Sequence, residues 1–333
     1  LFLFKINAQN YNSVEDSIRN VIVTTDDQLV VIENYKILVF QLETTLDSSI
    51  FYLKKAIEIA SKEQNSKELG STYGLIGNRY YEHEYYDSSI VYFNKMKVEF
   101  ENLSEVGGVA TALNNIGKCK EILYDYEGAL EKYTEAIDYG NNYMASISLA
   151  SLYAKMGKKD EANSTFKNLL NSMSKTSIEK EKQFEFLYYY CTLSSEYAKF
   201  LYEENKIKEA ITVLKQSEEE TLDLNLIDNE IRYHNDMGTY FQLLKELDSS
   251  SYHFKLAISL AQNNKGLQDL IKSNYVTLLV EMGEYSEAKI IALDILDRLT
   301  TLENIEIVYS SLSDIEAENK NYKLSNSYLN QAI

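Results

Sequence analysis

One short pattern recurs down this 333-residue chain and constrains its fold before anything else does. A small residue is followed by an aliphatic one and, two or three residues on, by an aromatic or Leu. It reads Asp87-Ser88-Ser89-Ile90-Val91-Tyr92-Phe93, then Glu127-Gly128-Ala129-Leu130-Glu131-Lys132-Tyr133, and Lys208-Glu209-Ala210-Ile211-Thr212-Val213-Leu214. The small residue falls at Ser49, Ser89, Ala129, Ala162, Ala210, Ser250, Ala288 and Ser325, in steps of 40, 40, 33, 48, 40, 38 and 37. Self-similarity at such a period marks a stack of units, each burying its apolar face on its neighbours.

Twelve residues before several of these positions lies a second small residue: Gly77, Gly117, Ala150, Ala198 and Gly238. A large residue precedes each one (Ile76, Ile116, Leu149, Tyr197, Met237), and a packing residue often follows three later (Tyr80, Tyr153, Leu201, Phe241). Tyr73, Ile76 and Tyr80 are three and four apart, so they share a helix face. Ile90, Phe93 and Lys97 repeat the spacing on the next helix, with Lys97 at the solvent edge. The pattern predicts a helix A and a helix B that cross at the two small residues, where the backbones come too close for a large side chain. Gly157 and Gly283 stand where a helix ends and positive φ is wanted. Asp87, Asp160 and Asp248 stand where N-caps and first-turn acids belong.

From residue 30 to 333 these positions resemble the tetratricopeptide repeat, whose pattern is an aromatic, Leu-Gly and Tyr on one helix, then Ala and Phe on a second. The resemblance implies an all-α fold: a right-handed α-solenoid of stacked antiparallel helix pairs, about eight repeats long. The chain departs from the pattern in three ways. The first aromatic is never Trp, with Tyr73, His234 and Tyr309 in three copies and Leu113 in another; there is no Pro; and the period is near 40 rather than about 34. Without Pro, helix B can run on, as over Ile50 to Lys62 and Ile90 to Asn102. The expected organisation is a signal-peptide remnant at 1–10, a lead-in helix at 11–29, repeats one to four at 30–174 and repeats five to eight at 175–333. The step of 48 is read as a joint: a loop at 172–177, then one overlong helix A from Ile178 to Glu204.

A net charge of −18 argues against nucleic acid, because phosphate contacts need clustered Lys and Arg. It also argues against anionic membrane surfaces. Glu218-Glu219-Glu220 reads as a solvated helix end. The 28 Tyr mostly take packing positions, and the dense Phe186-Leu187-Tyr188-Tyr189-Tyr190 implies that one ring points outward. Cys119 and Cys191 lie two repeats apart, too far for a disulfide, so both are expected as free thiols. Of three His, His234 and His253 share a repeat and can approach each other, but a metal site needs three or four ligands. There is no phosphate-binding glycine loop and no Gly-x-Ser-x-Gly elbow. Neither a catalytic residue nor a cofactor or metal is expected.

Leu1 to Phe4 resemble the tail of an apolar signal core, and Asn7-Ala8-Gln9 a small-residue cleavage region. A clipped secretory signal is expected there; an N-terminal helix turn is the alternative. No other apolar run is long enough to span a bilayer. At the far end, Leu324, Tyr328 and Ala332 form a last core stripe expected to face a further neighbour.

In the resembled family helix A lines the concave face. Groove positions lie three before, one after and four after its small residue. They include Gly74, Asn78 and Tyr81; Asn114, Lys118 and Glu121; Ser195, Lys199 and Tyr202; Asn235, Thr239 and Gln242. Asn and Gln can bond any peptide backbone, and Tyr adds rigid contact area. The family's carboxylate clamp does not fit. Asn78 and Asn115 match its two Asn positions, but Gly74, Met144 and Ser148 replace its cations. The resemblance therefore implies a non-catalytic scaffold that binds a protein or peptide, similar to exported sensor ectodomains of bacterial signalling proteins. A cytoplasmic peptide adaptor, or the targeting arm of an enzyme, remains open.

Overall fold

In the computed structural model, residues 11–41, 45–140, 142–173, 183–221 and 227–332 are described. They form seventeen α-helices, and no strand occurs among the described residues. In order these are α1 (Tyr11–Thr24), α2 (Gln28–Gln41), α3 (Leu46–Lys62), α4 (Ser66–Glu82), α5 (Tyr86–Asn102) and α6 (Val106–Ile122). Next come α7 (Tyr126–Asp138), α8 (Tyr143–Lys155), α9 (Lys159–Met173), α10 (Gln183–Glu203), α11 (Ile207–Thr221) and α12 (Ile227–Leu243). The last are α13 (Leu247–Leu260), α14 (Lys265–Glu281), α15 (Tyr285–Ile295), α16 (Leu302–Glu318) and α17 (Tyr322–Ala332). The even-numbered helices from α2 to α16 are the A helices, and the odd-numbered ones from α3 to α17 are the B helices.

Helices α3 to α6 each run 17 residues, and three-residue turns join them. The chain thus reverses every 20 residues, which is why a pair takes 40. Each of these turns closes the same way. After α3, the N–H of Asn65 bonds the carbonyl of Ala60 at 2.9 Å and that of Gln64 bonds Ser61 at 3.2 Å. After α4, Tyr85 reaches Tyr80 at 2.9 Å and Glu84 reaches Tyr81 at 3.0 Å. This is the Schellman closure, with a left-handed residue one past the cap. Gln64, Glu84, Ser104 and Tyr124 hold that position at φ 52 to 65°, while Gly157 and Gly283 hold it at 73° and 78°. Asp87 and Asp248 are first-turn acids; the caps themselves are Tyr85 and Glu246, which make no side-chain cap bond.

The helix crossings follow the small residues. Ser49, Ser89, Ala129, Ala162, Ala210, Ser250 and Ala288 are fully buried, and Ser325 nearly so. Where the A residue is Gly, the partner is an aromatic ring four residues after the B residue. A Cβ on Gly77 would lie 2.6 Å from the Phe93 ring, one on Gly117 2.5 Å from Tyr133, and one on Gly238 2.8 Å from Phe254. Where the B residue is Ser, its hydroxyl pins the crossing. Ser89 Oγ donates to the Gly77 carbonyl at 2.8 Å, and Ser250 Oγ to the Gly238 carbonyl at 2.7 Å.

The fold divides into two compact units between Leu169 and Leu170. In the first, consecutive helices from α1 to α8 pack in sequence, and α6 also touches α4 and α8. In the second, α10 to α17 do the same, with α10, α12, α14 and α16 touching in turn. Each is an all-α solenoid of antiparallel pairs. Helix α10 runs 21 residues; the expected start of this long helix at Ile178, like most of the expected loop at 172–177, lies outside the described residues. Tyr188 is the outward ring of its cluster, at 44 % exposure against 2 % for Tyr190. Both Cys are free and buried. Tyr328 packs on Tyr309 with ring centroids 6.2 Å apart. The acid run corrects one expectation: Glu218 is not merely solvated but bonds the Tyr233 hydroxyl. The expected signal remnant, residues 1–10, lies outside the described residues. Among the described residues no helix is long and apolar enough to cross a membrane.

Candidate functional site

The A helices of each unit lie side by side, so their groove positions share one face. Along α4, α6 and α8 of the first unit, Asn78 is exposed and Tyr81 is half-buried, its ring edge-on to Tyr86 at 5.6 Å. Lys118 is half-buried. Glu121 is held from two sides: Tyr133 Oη donates to Oε2 at 2.7 Å and Lys155 Nζ to Oε1 at 2.6 Å. Burial and the Glu121 charge push the Tyr133 phenol far above its ordinary range, so it is always a donor here. Asn114 differs from the rest. It is 4 % exposed, and its Oδ1 is buried without a hydrogen-bond partner.

In the second unit the same positions are largely engaged with the next A helix. Asn274 Nδ2 donates to Asn235 Oδ1 at 3.1 Å, and Gln242 Nε2 donates to Glu281 Oε2 at 3.1 Å. Each pair joins residues 39 apart, one on α12 and one on α14. Thr239 Oγ1 bonds back to the Asn235 carbonyl at 3.2 Å. Ser195 is half-buried and Lys199 exposed, while Tyr202 stacks on Tyr240 at 5.5 Å. Between α10 and α12, burial pushes the Asp236 carboxyl up to about 6. The A-helix face of the second unit therefore carries a cross-helix polar ladder, and that of the first a buried Asn114 oxygen without a partner.

A recess of about 440 Å³ lies between α14 and α16, lined by Thr277, Val280, Glu306, Ser310 and Asp314 among others. The sequence reading did not name these residues, yet its rule reaches them. Counting twelve back from Ala288 and Ser325 gives Val276 and Ser313, and the groove offsets then give Thr277, Val280, Ser310 and Asp314. A second cavity of about 780 Å³ lies at the α10–α11 turn against Leu243 and Leu244. Among the described residues no three His, Cys, Asp or Glu come together to hold a metal.

No protein-family description matches the sequence, and no curated protein does. Solved structures do match. Yeast Tom70 is similar at 15% identity and a TM-score of 0.67, over 96% of this chain and 62% of its own. The quorum sensor NprR from B. thuringiensis, in its apo form, is similar at 14% identity and 0.59, over 97% of this chain and 92% of its own. The apo form of RapI is similar at 14% and 0.50, over 90% and 96%. The fold is thus the tetratricopeptide-repeat solenoid.

Proposed function

We propose that this chain is a non-catalytic receptor that holds an extended protein or peptide segment on its A-helix face, centred on α4, α6 and α8. The carrying observation is the polar face that these helices share, with Asn78 exposed, Tyr81 and Lys118 half-buried, and Glu121 held in place by Tyr133 and Lys155. An exposed amide such as Asn78 can both donate to and accept from a ligand's backbone, each such bond being worth about 0.5–1.5 kcal/mol net. Asn235 and Gln242, bound into the ladder, serve first to hold α12 to α14.

The likeness to a quorum sensor supports a sensing role, in which the bound segment is a signal and the solenoid transmits its arrival. The Leu1–Phe4 and Asn7–Gln9 pattern supports export, as part of a bacterial signalling protein. A reporter fused after residue 333, active only outside the cytoplasm, tests that location.

Peptides selected from a random library on the whole chain test the binding. The Asn78→Ala variant should keep its melting temperature and bind the selected peptides about threefold to tenfold more weakly, as expected for one lost hydrogen bond. Undiminished binding, or a variant that no longer folds, would remove the groove from this role.

A further inference from the structure

His234 on α12 and His253 on α13 meet with their Nδ1 atoms 2.8 Å apart. Aromatic rings close around them. Phe241 stacks on His253 at 5.4 Å, Tyr252 meets it edge-on at 5.2 Å, and Tyr233 meets His234 edge-on at 4.9 Å. We propose that this contact is a proton-sensitive clasp that ties α12 to α13 and lets them part on acidification.

One Nδ1 must carry the hydrogen and the other accept it. A first added proton leaves one hydrogen bridging the two nitrogens. A second makes both rings imidazolium, so two N–H groups and two charges face each other at hydrogen-bond distance, and the rings must separate. The charged and titratable groups around the pair are Lys215, Glu218 and Glu219 on α11, Glu230 and Tyr233 on α12, and Tyr252 on α13. Burial and then the neighbouring His234 and Lys215 push His253 down to about 4. Burial pushes His234 down too, against the pull of Glu218 and Glu230.

Both rings therefore bind protons less readily in the folded chain than in the unfolded one, whose ordinary value is about 6.5. Their contribution to stability is whole above that value and is lost as pH falls from there toward 4. For His253 alone the folded-to-unfolded ratio should drop about 30-fold between pH 8 and pH 5. The clasp is independent of the groove reading, since it needs no ligand.

Three His in the chain make the test direct, with exposed His83 as a separate imidazole signal. In the intact protein, the His234 and His253 ring signals should stay neutral well below pH 6.5. They should then shift together, as amide exchange in α12 and α13 speeds up beyond its intrinsic pH dependence. His253→Asn keeps a hydrogen-bonding side chain that does not titrate, and its α12–α13 stability should lack the 30-fold drop. Rings that titrate separately near 6.5 while α12 and α13 stay protected would overturn the clasp, as would a His253→Asn variant as acid-sensitive as the parent. If that variant fails to fold, the parent titration decides alone.

Discussion

Tyr275 is buried against Phe254, and its hydroxyl has no hydrogen-bond partner. A polar group left unpaired in the core costs more than its removal does. Tyr275→Phe should therefore raise stability by about 1 kcal/mol in denaturant melts; a loss of that size would mean that the hydroxyl is bonded after all. The small crossing residues show what one side chain reveals in a sequence. Ser89 and Ala129 were legible because a helix crossing excludes bulk whatever surrounds it. Asn114 and Asn235 were not distinguishable, since both sit three before a glycine at an A position. Whether such an amide is free or engaged depends on a neighbour 39 residues on, which is Asn274 for Asn235. Periodicity gives the direction of a Cβ, not the partner it finds. Glu121 was likewise named as a groove position but not as the acceptor between Tyr133 and Lys155.

Elements end here by left-handed closure, and most closures are made without glycine. Lys320 holds φ 60° after α16, where Gly283 holds 78° after α14. A side chain in this region costs about 1 kcal/mol, offset in part by the greater freedom of an unfolded glycine. Lys320→Gly should thus stabilise by about 0.5 kcal/mol and Gly283→Ala destabilise by about 1 kcal/mol, read as opposite shifts in Tm. Shifts of the same sign would contradict the turn geometry. The two glycine turns were readable from residue type alone. Those at Gln64, Glu84, Ser104 and Tyr124 were not, because no residue there favours positive φ; the hydrogen-bond closure imposes it.

Across the whole molecule, stability in a stack of helix pairs is a sum of local interfaces. Overpacking one crossing should therefore be felt near it and not throughout. Ala210→Leu forces a large side chain against α10 and should cost about 1–3 kcal/mol. Amide exchange should show the loss in α10 to α12 while α4 to α6 keep their protection. Equal loss in both places would show that the two units open as one. The periodic small residues made the eight pairs legible, and the step of 48 was read as a joint at 172–177; helix contacts put the division between Leu169 and Leu170, a few residues earlier, because it depends on how densely neighbouring helices touch.

The 20-residue beat of α3 to α6 has a consequence for descent. Removing one helix with its turn would exchange inward and outward faces for everything downstream, whereas removing two restores them. Gene-level gain or loss in this stretch is therefore tolerated in 40-residue cassettes, and lineages carrying it should differ in length by whole pairs.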